Sequence, residues 1–138
     1  MRLWHTNLIS VLPREQLVAQ WRELSAIAGS IQQKGTPNHA LVNFVLHYPF
    51  EHFISYAYHI RAEMTRRGYK TMDAVWNKIA SLDDNYNILS LDEVYKEKMD
   101  NTYLKICFYN LYEKMLCDAI DSKSWSLICE KAGGLLLC

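Results

Sequence analysis

The sequence is poor in glycine and proline and has no net charge. Its 138 residues include five Gly and three Pro, and 15 Lys and Arg balance 15 Asp and Glu. Half of the residues are hydrophobic, so the chain can bury a core, which excludes intrinsic disorder, a collagen-like repeat and a coiled coil alone. At this length the core needs no disulfide or metal to stabilise it. We predict a single helical domain over residues 1–138.

Long hydrophobic runs are also missing. None approaches the roughly 18 residues that a membrane span requires, and the first residues lack the apolar centre of a secretory signal. Cys138 is the last residue, whereas a prenylation signal carries its Cys fourth from the end. We therefore expect a cytoplasmic protein with no membrane partner.

Metal, redox and phosphate-loop motifs are absent as well. The four cysteines include no CxxC pair, which argues against a zinc knuckle or a redox motif and predicts buried or idle thiols. His52 and His59 stand about 10 Å apart along a helix, so one tetrahedral ion cannot bind both, and we expect His59 to pair with Glu63 instead. Glycine-rich phosphate loops and GxSxG elbows are missing, which argues against nucleotide hydrolysis, α/β-hydrolase chemistry and dehydrogenation.

What the sequence does contain is helical periodicity. Pro13 predicts a first helix over about residues 13–33, which ends at the breakers around Gly35. Its apolar stripe recurs every three or four residues, as Leu17, Trp21, Leu24, Ile27, Ala28 and Ile31. Pro49 predicts a second helix that reaches about Arg67, before Gly68.

The second half of the chain gives one further helix signal. Ser90 and Glu93 form a capping-box pattern that predicts a third helix, continuing to about Ala119. Short helical or irregular structure is expected around residues 71–80. Alternating strand patterns and internal repeats are absent, so we predict an all-α fold of three main helices.

Charge is distributed unevenly along the chain. Residues 1–80 hold nine basic and five acidic groups, a balance of +4, whereas residues 81–138 hold six basic and ten acidic groups, a balance of −4. Every arginine lies between Arg2 and Arg67. This asymmetry indicates either an anionic partner or an ordinary mixed surface.

The first helix has a second face that differs from its apolar stripe. This face consists of small or polar residues around one carboxylate, namely Gln16, Ala19, Glu23, Ala26 and Ser30. Because the neighbours of Glu23 are small, a ligand or another backbone segment can approach its carboxylate closely. The alternative is a solvated helix face.

Two blocks of sequence stand out in residues 1–70. The first block is Leu8-Ile9-Ser10, Leu12, Gln16-Leu17 and Ala19-Gln20-Trp21-Arg22-Glu23-Leu24. The second begins at His39 and continues through an aromatic-rich helix to Glu63-Met64-Thr65-Arg66-Arg67-Gly68-Tyr69. In order and spacing, both blocks resemble the endonuclease V-type pyrimidine-dimer DNA glycosylases of bacteriophages and algal viruses.

The resemblance implies an all-α fold in which the N-terminal segment packs between helices and its amine reaches a glutamate on the first helix. It implies excision of ultraviolet-induced pyrimidine dimers from double-stranded DNA and strand cleavage by lyase chemistry, with no metal or organic cofactor. The matching positions assign Glu23 and the amine of Met1 as catalytic groups, and Arg2 and Arg22 as phosphate ligands. Further DNA-binding candidates come from the second block: His39, Arg66 and Arg67.

The viral relatives expose a threonine amine after losing the initiator methionine. Here Arg2 is too bulky for the usual removal, so we expect Met1 to stay. The neutral charge and the lack of a C-terminal basic and aromatic segment predict weaker DNA binding than in those relatives, easily lost with added salt.

Two hypotheses follow. The first is a DNA repair glycosylase with abasic-site lyase activity. The second is a non-catalytic helical module that keeps the fold and binds nucleic acid or protein. A terminal amine within about 5 Å of Glu23 in a shaped, basic cleft would favour the first hypothesis, whereas a disordered terminus or a buried, salt-bridged Glu23 would favour the second.

Overall fold

A computed structural model describes residues 1–132, and none of these residues forms a β-strand. They form five α-helices, which we number in chain order: α1 (Arg14–Lys34), α2 (Phe50–Arg66), α3 (Asp73–Ala80), α4 (Asn101–Leu116) and α5 (Ser122–Ala132). Two 3-10 helices, Thr6–Val11 and Asn43–His47, precede α1 and α2. The all-α prediction is confirmed, whereas the prediction of three main helices is not, because α3 and α5 are also helical.

The breaker residues set the ends of α1 and α2. Pro13 and Pro49 directly precede the two helices. At this position the backbone N–H that proline lacks would have no acceptor within the helix, so its absence costs no hydrogen bond. Gly35 and Gly68 follow them with φ angles of 73° and 85°, the left-handed conformation that reverses the chain after a helix and that glycine adopts without strain. Both helices therefore end within about one residue of the predicted positions.

The predicted start of the third helix is wrong. Residues 91–98 form successive turns, and α4 begins only at Asn101. Its capping residue is Asp100 rather than Ser90, because the Asp100 carboxylate accepts the N–H of Tyr103 at 2.8 Å. Within the turns, Tyr95 is fully buried at a left-handed φ of 49°.

The helix α5 has no counterpart in the prediction, which ended helical structure at Ala119. Its Trp125 packs on α4, with ring centroids 5.1 Å from Phe108 and 5.7 Å from Tyr112. The same helix also packs against the first 3-10 helix. α4, α5 and the N-terminal residues therefore form one packed region.

The N-terminal segment belongs to the hydrophobic core. Leu3 and Leu8 are fully buried in the cluster that also contains the apolar stripes of α1 and α2. Arg67 fixes the chain just before α1, since its guanidinium donates to the carbonyl of Leu12 at 2.7 Å and to that of Ser10 at 3.2 Å. The first residues are therefore placed by contacts with several helices.

The expected hydrogen bond between His59 and Glu63 is not formed. Nε2 of His59 donates to the carbonyl of Leu89 at 2.9 Å. Glu63 accepts hydrogen bonds from Arg66 and Arg67 instead. Although burial acts to raise its pKa, these two arginines hold the pKa of Glu63 below its ordinary value.

The thiols of Cys107 and Cys117 form no disulfide, and that of Cys107 is buried. Cys138 lies outside the described residues. Within residues 1–132 no three His, Cys, Asp or Glu side chains cluster closely enough to hold a metal ion. No described helix is both long and apolar enough to cross a membrane.

Candidate active site

A cleft of about 420 Å³ opens where the first residues of the chain lie between α1 and α4. We call it the N-terminal cleft. Ten of the described residues line it: Met1, Arg2, Trp4, Glu15, Gln16, Ala19, Arg22, Glu23, Asn110 and Lys114. Three cationic side chains and the terminal amine thus face two carboxylates, a balance that favours an anionic ligand.

Hydrogen bonds from three helices hold residues 2–4 of the chain. The carboxamide of Gln20 on α1 accepts the N–H of Trp4 at 2.9 Å and donates to the carbonyl of Arg2 at 2.9 Å. Tyr56 on α2 donates its hydroxyl to the carbonyl of Trp4 at 2.6 Å. Tyr103 on α4 donates its hydroxyl to the carbonyl of Leu3. The backbone next to Met1 is therefore fixed by buried polar contacts.

Glu23 lies one turn after Gln20 on the same face of α1 and is half-buried. Its Oε2 accepts a hydrogen bond from Nε2 of Gln20 at 3.3 Å, and it forms no ion pair with any residue of the described part of the chain. Burial raises the pKa of its carboxyl group, and this effect outweighs the opposing influence of the terminal amine and of Arg22. The carboxylate therefore lines the same cleft as the amine and lies within its electrostatic range, and it is partly dehydrated and without a guanidinium partner.

The cations of the N-terminal cleft differ in how firmly they are held. Arg22 is exposed, and no hydrogen bond to another of residues 1–132 restrains it. Arg2 is half-buried, with its guanidinium 5.9 Å from the ring centre of Trp4. Lys114 projects from α4, and its charge also acts to lower the pKa of Glu23.

His39 lies near the N-terminal cleft without lining it. Its charge acts to lower the pKa of Glu23, which places it within electrostatic range of the carboxylate. Its Nδ1 accepts the backbone N–H of Leu41 at 3.3 Å, and the backbone N–H of His39 donates to Oδ1 of Asn43 at 3.0 Å. The ring is therefore fixed by the turn before the second 3-10 helix.

Arg66 and Arg67 do not line the N-terminal cleft. Both bind Glu63 at the end of α2, and Arg67 also binds the carbonyls of Leu12 and Ser10. These contacts use each of the three side-chain nitrogens of Arg67. The side chain of Arg67 is only 17% exposed, whereas that of Arg66 is 65% exposed. Their assignment to DNA binding stays a prediction, and their contacts with Glu63 and the chain before α1 are structural.

A larger groove of about 550 Å³ lies between α2 and α3 and is bordered by Tyr58 and Trp76. Its two arginines are already neutralised, because Arg61 binds Asp73 and Arg66 binds Glu63. The groove contains no unpaired carboxylate or amine. It therefore lacks the carboxylate and the amine that the smaller N-terminal cleft offers for catalysis.

Sequence reasoning placed Met1, Arg2, Arg22 and Glu23 in one site, and all four line the N-terminal cleft. It missed three further residues near them: Gln20, Asn110 and Lys114. A signal for Gln20 was present, since it is a polar residue within the buried stripe of α1 and is itself fully buried. No local signal marks the two residues of α4, because only the packing of α4 against the N-terminal segment brings them to the cleft.

Comparison with known proteins bears on residues 1–77, which match the family model described as pyrimidine dimer DNA glycosylase. The match covers more than half of the chain and includes the N-terminal segment, α1 and α2. Neither a curated protein nor a solved structure matches the chain. The α4 side of the N-terminal cleft lies beyond the matched residues.

Proposed function

The chain belongs to the pyrimidine dimer DNA glycosylase family, and from this premise we propose that it excises pyrimidine dimers from DNA and then cleaves the strand by lyase chemistry. One observation supports this proposal most directly. The half-buried carboxylate of Glu23, which has no ion-pair partner among the described residues, lines the same cleft as the terminal amine and lies within its electrostatic range, and the other charges of this cleft are mainly cationic. A nucleophile, an acid–base group and phosphate ligands thus lie together.

The amine of Met1 is the proposed nucleophile, and its free-base form attacks C1′ of the damaged nucleotide. The glycosidic C–N bond breaks, its electron pair leaves with the base, which takes up a proton, and the sugar ring opens to an imine between the amine and C1′. An α-amino group suits this step because its ordinary pKa is about 7.7–8.0, against about 10.4 for lysine. A far larger fraction of it is therefore unprotonated near neutral pH.

Glu23 acts at two stages. As a carboxylate it stabilises the positive charge that develops on the sugar while the base departs. It then removes a proton from C2′, which the imine has acidified, and the C3′–O bond breaks so that the 3′ phosphate leaves. Water hydrolyses the remaining imine and restores the amine. A carboxyl group whose pKa is raised by burial is a better proton acceptor than an exposed one.

Arg2, Arg22 and Lys114 bind phosphates on either side of the damaged nucleotide. Charge-assisted hydrogen bonds to phosphate give affinity and register without reading the base sequence. Access to C1′ also requires local opening of the duplex, which costs less at a damaged pair.

Borohydride trapping tests the proposal, because it reduces the imine to a stable amine that links protein to DNA. We expect a covalent adduct with duplexes that contain a pyrimidine dimer or an abasic site, and none with an undamaged duplex. Mass spectrometry of the adduct should locate the linkage on the amine of Met1. A folded protein that binds the damaged duplex without forming an adduct would refute the catalytic proposal and favour the non-catalytic module.

A further inference from the structure

Resting on the proposed function, we infer that Gln20 is a positioning residue that fixes the terminal amine and the Glu23 carboxylate relative to one another. Gln20 is fully buried, although its side chain ends in a polar carboxamide. A buried carboxamide is costly unless its donors and acceptor are satisfied. Each hydrogen bond of this carboxamide is with the N-terminal segment, with Glu23 or with Tyr56.

The carboxamide of Gln20 binds the N-terminal segment in the way that a neighbouring strand would. It accepts the N–H of Trp4 through Oε1 and donates through Nε2 to the carbonyl of Arg2, both at 2.9 Å. In an extended segment, residues two apart direct their backbone groups to the same side. One side chain therefore fixes both the distance and the register of this segment along α1.

The same Nε2 also donates to Oε2 of Glu23 at 3.3 Å. Oε1 lies 2.9 Å from the hydroxyl oxygen of Tyr56 and shares its single proton with the carbonyl of Trp4. The nitrogen thus bridges the carbonyl of Arg2, next to the proposed nucleophile, and the proposed acid–base group. An apolar residue of equal size could fill the volume, but it could not join these two groups.

The magnitude of the expected effect follows from the geometry of attack. Displacement of a reacting group by about 1 Å can reduce a rate by about 10²-fold even when the substrate still binds. Two of the three proposed phosphate ligands, Arg22 on α1 and Lys114 on α4, do not depend on Gln20, and only Arg2 lies on the segment that Gln20 holds. Loss of the carboxamide should therefore affect the chemical step much more than DNA binding.

The test compares Gln20→Met with Gln32→Met. Methionine matches the length of glutamine without its hydrogen bonds. Gln32 lies on the same helix but donates to the carbonyl of Lys78 and the hydroxyl of Ser81, away from the N-terminal cleft. Three quantities are measured for each protein: the single-turnover rate of borohydride trapping on an abasic-site duplex, the Kd for a duplex with a non-reactive tetrahydrofuran site, and hydrogen exchange of the Trp4 amide.

In Gln20→Met we expect trapping to slow by about 10²-fold, the Kd to change less than about twofold and the Trp4 amide to exchange faster while amides in the middle of α1 stay protected. Gln32→Met should match the wild type in all three measurements. If the wild type forms the adduct and Gln20→Met forms it at the same rate, the role of Gln20 is overturned and the proposed function stays intact. Absence of trapping in the wild type would overturn both.

Gln20→Glu keeps the acceptor for Trp4 and changes only the donor, so it covers the case in which Gln20→Met fails to fold. A protonated carboxyl can still donate to the carbonyl of Arg2, whereas an ionised one cannot and adds a negative charge beside Glu23. The trapping rate relative to wild type should therefore fall as the pH rises from about 5 to 8. A ratio that does not change with pH would contradict the donor role of Gln20.

Discussion

The fold disfavours the ionised form of Glu23, because burial raises the pKa of its carboxyl group. Its carboxyl is half-buried, accepts one hydrogen bond from Gln20 and has no guanidinium partner among the described residues. Glu63 shows the opposite arrangement, with two arginines on its carboxylate. Buried carboxylates that serve structure are normally paired in this second way. The contrast between these glutamates is the residue-scale reason to place chemistry at Glu23.

Replacement of Glu23 by glutamine should remove activity and keep the fold. Glu23→Gln retains the shape of the side chain but not its charge, so dimer excision should fall by about 10²-fold or more. Glu15→Gln is the matched control, because Glu15 is the other carboxylate that lines the N-terminal cleft and it is exposed. Single-turnover excision on a dimer-containing duplex measures both. A folded Glu23→Gln protein with near-wild-type excision would contradict the assigned role.

The same variant should be more stable than the wild type at neutral pH. Because the fold raises the pKa of Glu23 above its ordinary 4.5, the protonated form is favoured in the folded state. The contribution of the protonated Glu23 carboxyl to the free energy of unfolding is complete below the unfolded-state pKa and is lost as the pH rises through the folded-state pKa. The Tm of Glu23→Gln should therefore match wild type in acid and exceed it increasingly towards neutral pH, as thermal unfolding at several pH values would show. A difference in Tm that is equal at all pH values would contradict this.

Arg22 gives a prediction about salt. It is exposed, and its side chain forms no ion pair with another of residues 1–132, so it is available to bind a phosphate. Arg22→Ala should weaken DNA binding and reduce the slope of log K against log salt concentration by about one. Lys34→Ala, at the far end of the same helix, should leave the slope nearly unchanged. Titrations at several salt concentrations decide the matter, and an unchanged slope for Arg22→Ala would exclude a direct phosphate contact.

At the scale of elements, local sequence signals located α1 and α2 but misplaced the start of α4. The prolines and glycines around the first two helices act through their own backbone conformations, so their effect is visible in the sequence. Ser90 and Glu93 form an equally good local pattern, yet Tyr95 turns the chain at a left-handed φ. Its ring packs on Phe44 and Tyr48, with centroids 5.0 and 4.9 Å away. Tertiary packing thus overrides the local preference, which no local pattern can reveal.

This difference predicts which acidic or hydroxyl side chain stabilises α4. Asp100→Ala removes the cap on the N–H of Tyr103 and should lower the free energy of unfolding by about 1 kcal/mol. Ser90→Ala should change it by less than about 0.5 kcal/mol, because Ser90 is exposed and caps no helix. Chemical denaturation of both variants provides the measurement. A larger loss for Ser90→Ala than for Asp100→Ala would mean that the predicted capping box is the one that operates.

At the scale of the whole molecule, the N-terminal cleft joins the two oppositely charged halves of the chain. The resemblance of residues 1–70 predicted one site for Met1, Arg2, Arg22 and Glu23, because Arg22 and Glu23 lie in the first block and Met1 and Arg2 stand at the terminus that supplies the family's nucleophile. The sequence did not predict the contribution of Asn110 and Lys114, which belong to the net acidic half. Their position depends on how α4 packs, and that packing has no signature in the matched region.

Use of the chain terminus as nucleophile gives a prediction that no side-chain substitution can test. An uncleaved tag before Met1 converts its amine into an amide, which has essentially no basicity, and adds bulk at the mouth of the N-terminal cleft. Trapping and strand cleavage should both disappear while the thermal unfolding curve stays close to that of the untagged protein. Proteolytic removal of the tag that restores the amine of Met1 should restore both activities. An adduct formed by the tagged protein would identify a lysine or another group as the nucleophile.

The hydrogen bond from Tyr103 to the carbonyl of Leu3 connects residues one hundred positions apart, and this separation orders events during synthesis. Translation adds about 5–20 residues per second, so the first residues leave the ribosome several seconds before Tyr103 is made. Contacts between residues so distant in sequence also form slowly during folding. The terminus that carries the proposed nucleophile is therefore made first and fixed among the last, and a nascent chain that stops before α4 has the amine and Glu23 but lacks the hydrogen bond that holds Leu3.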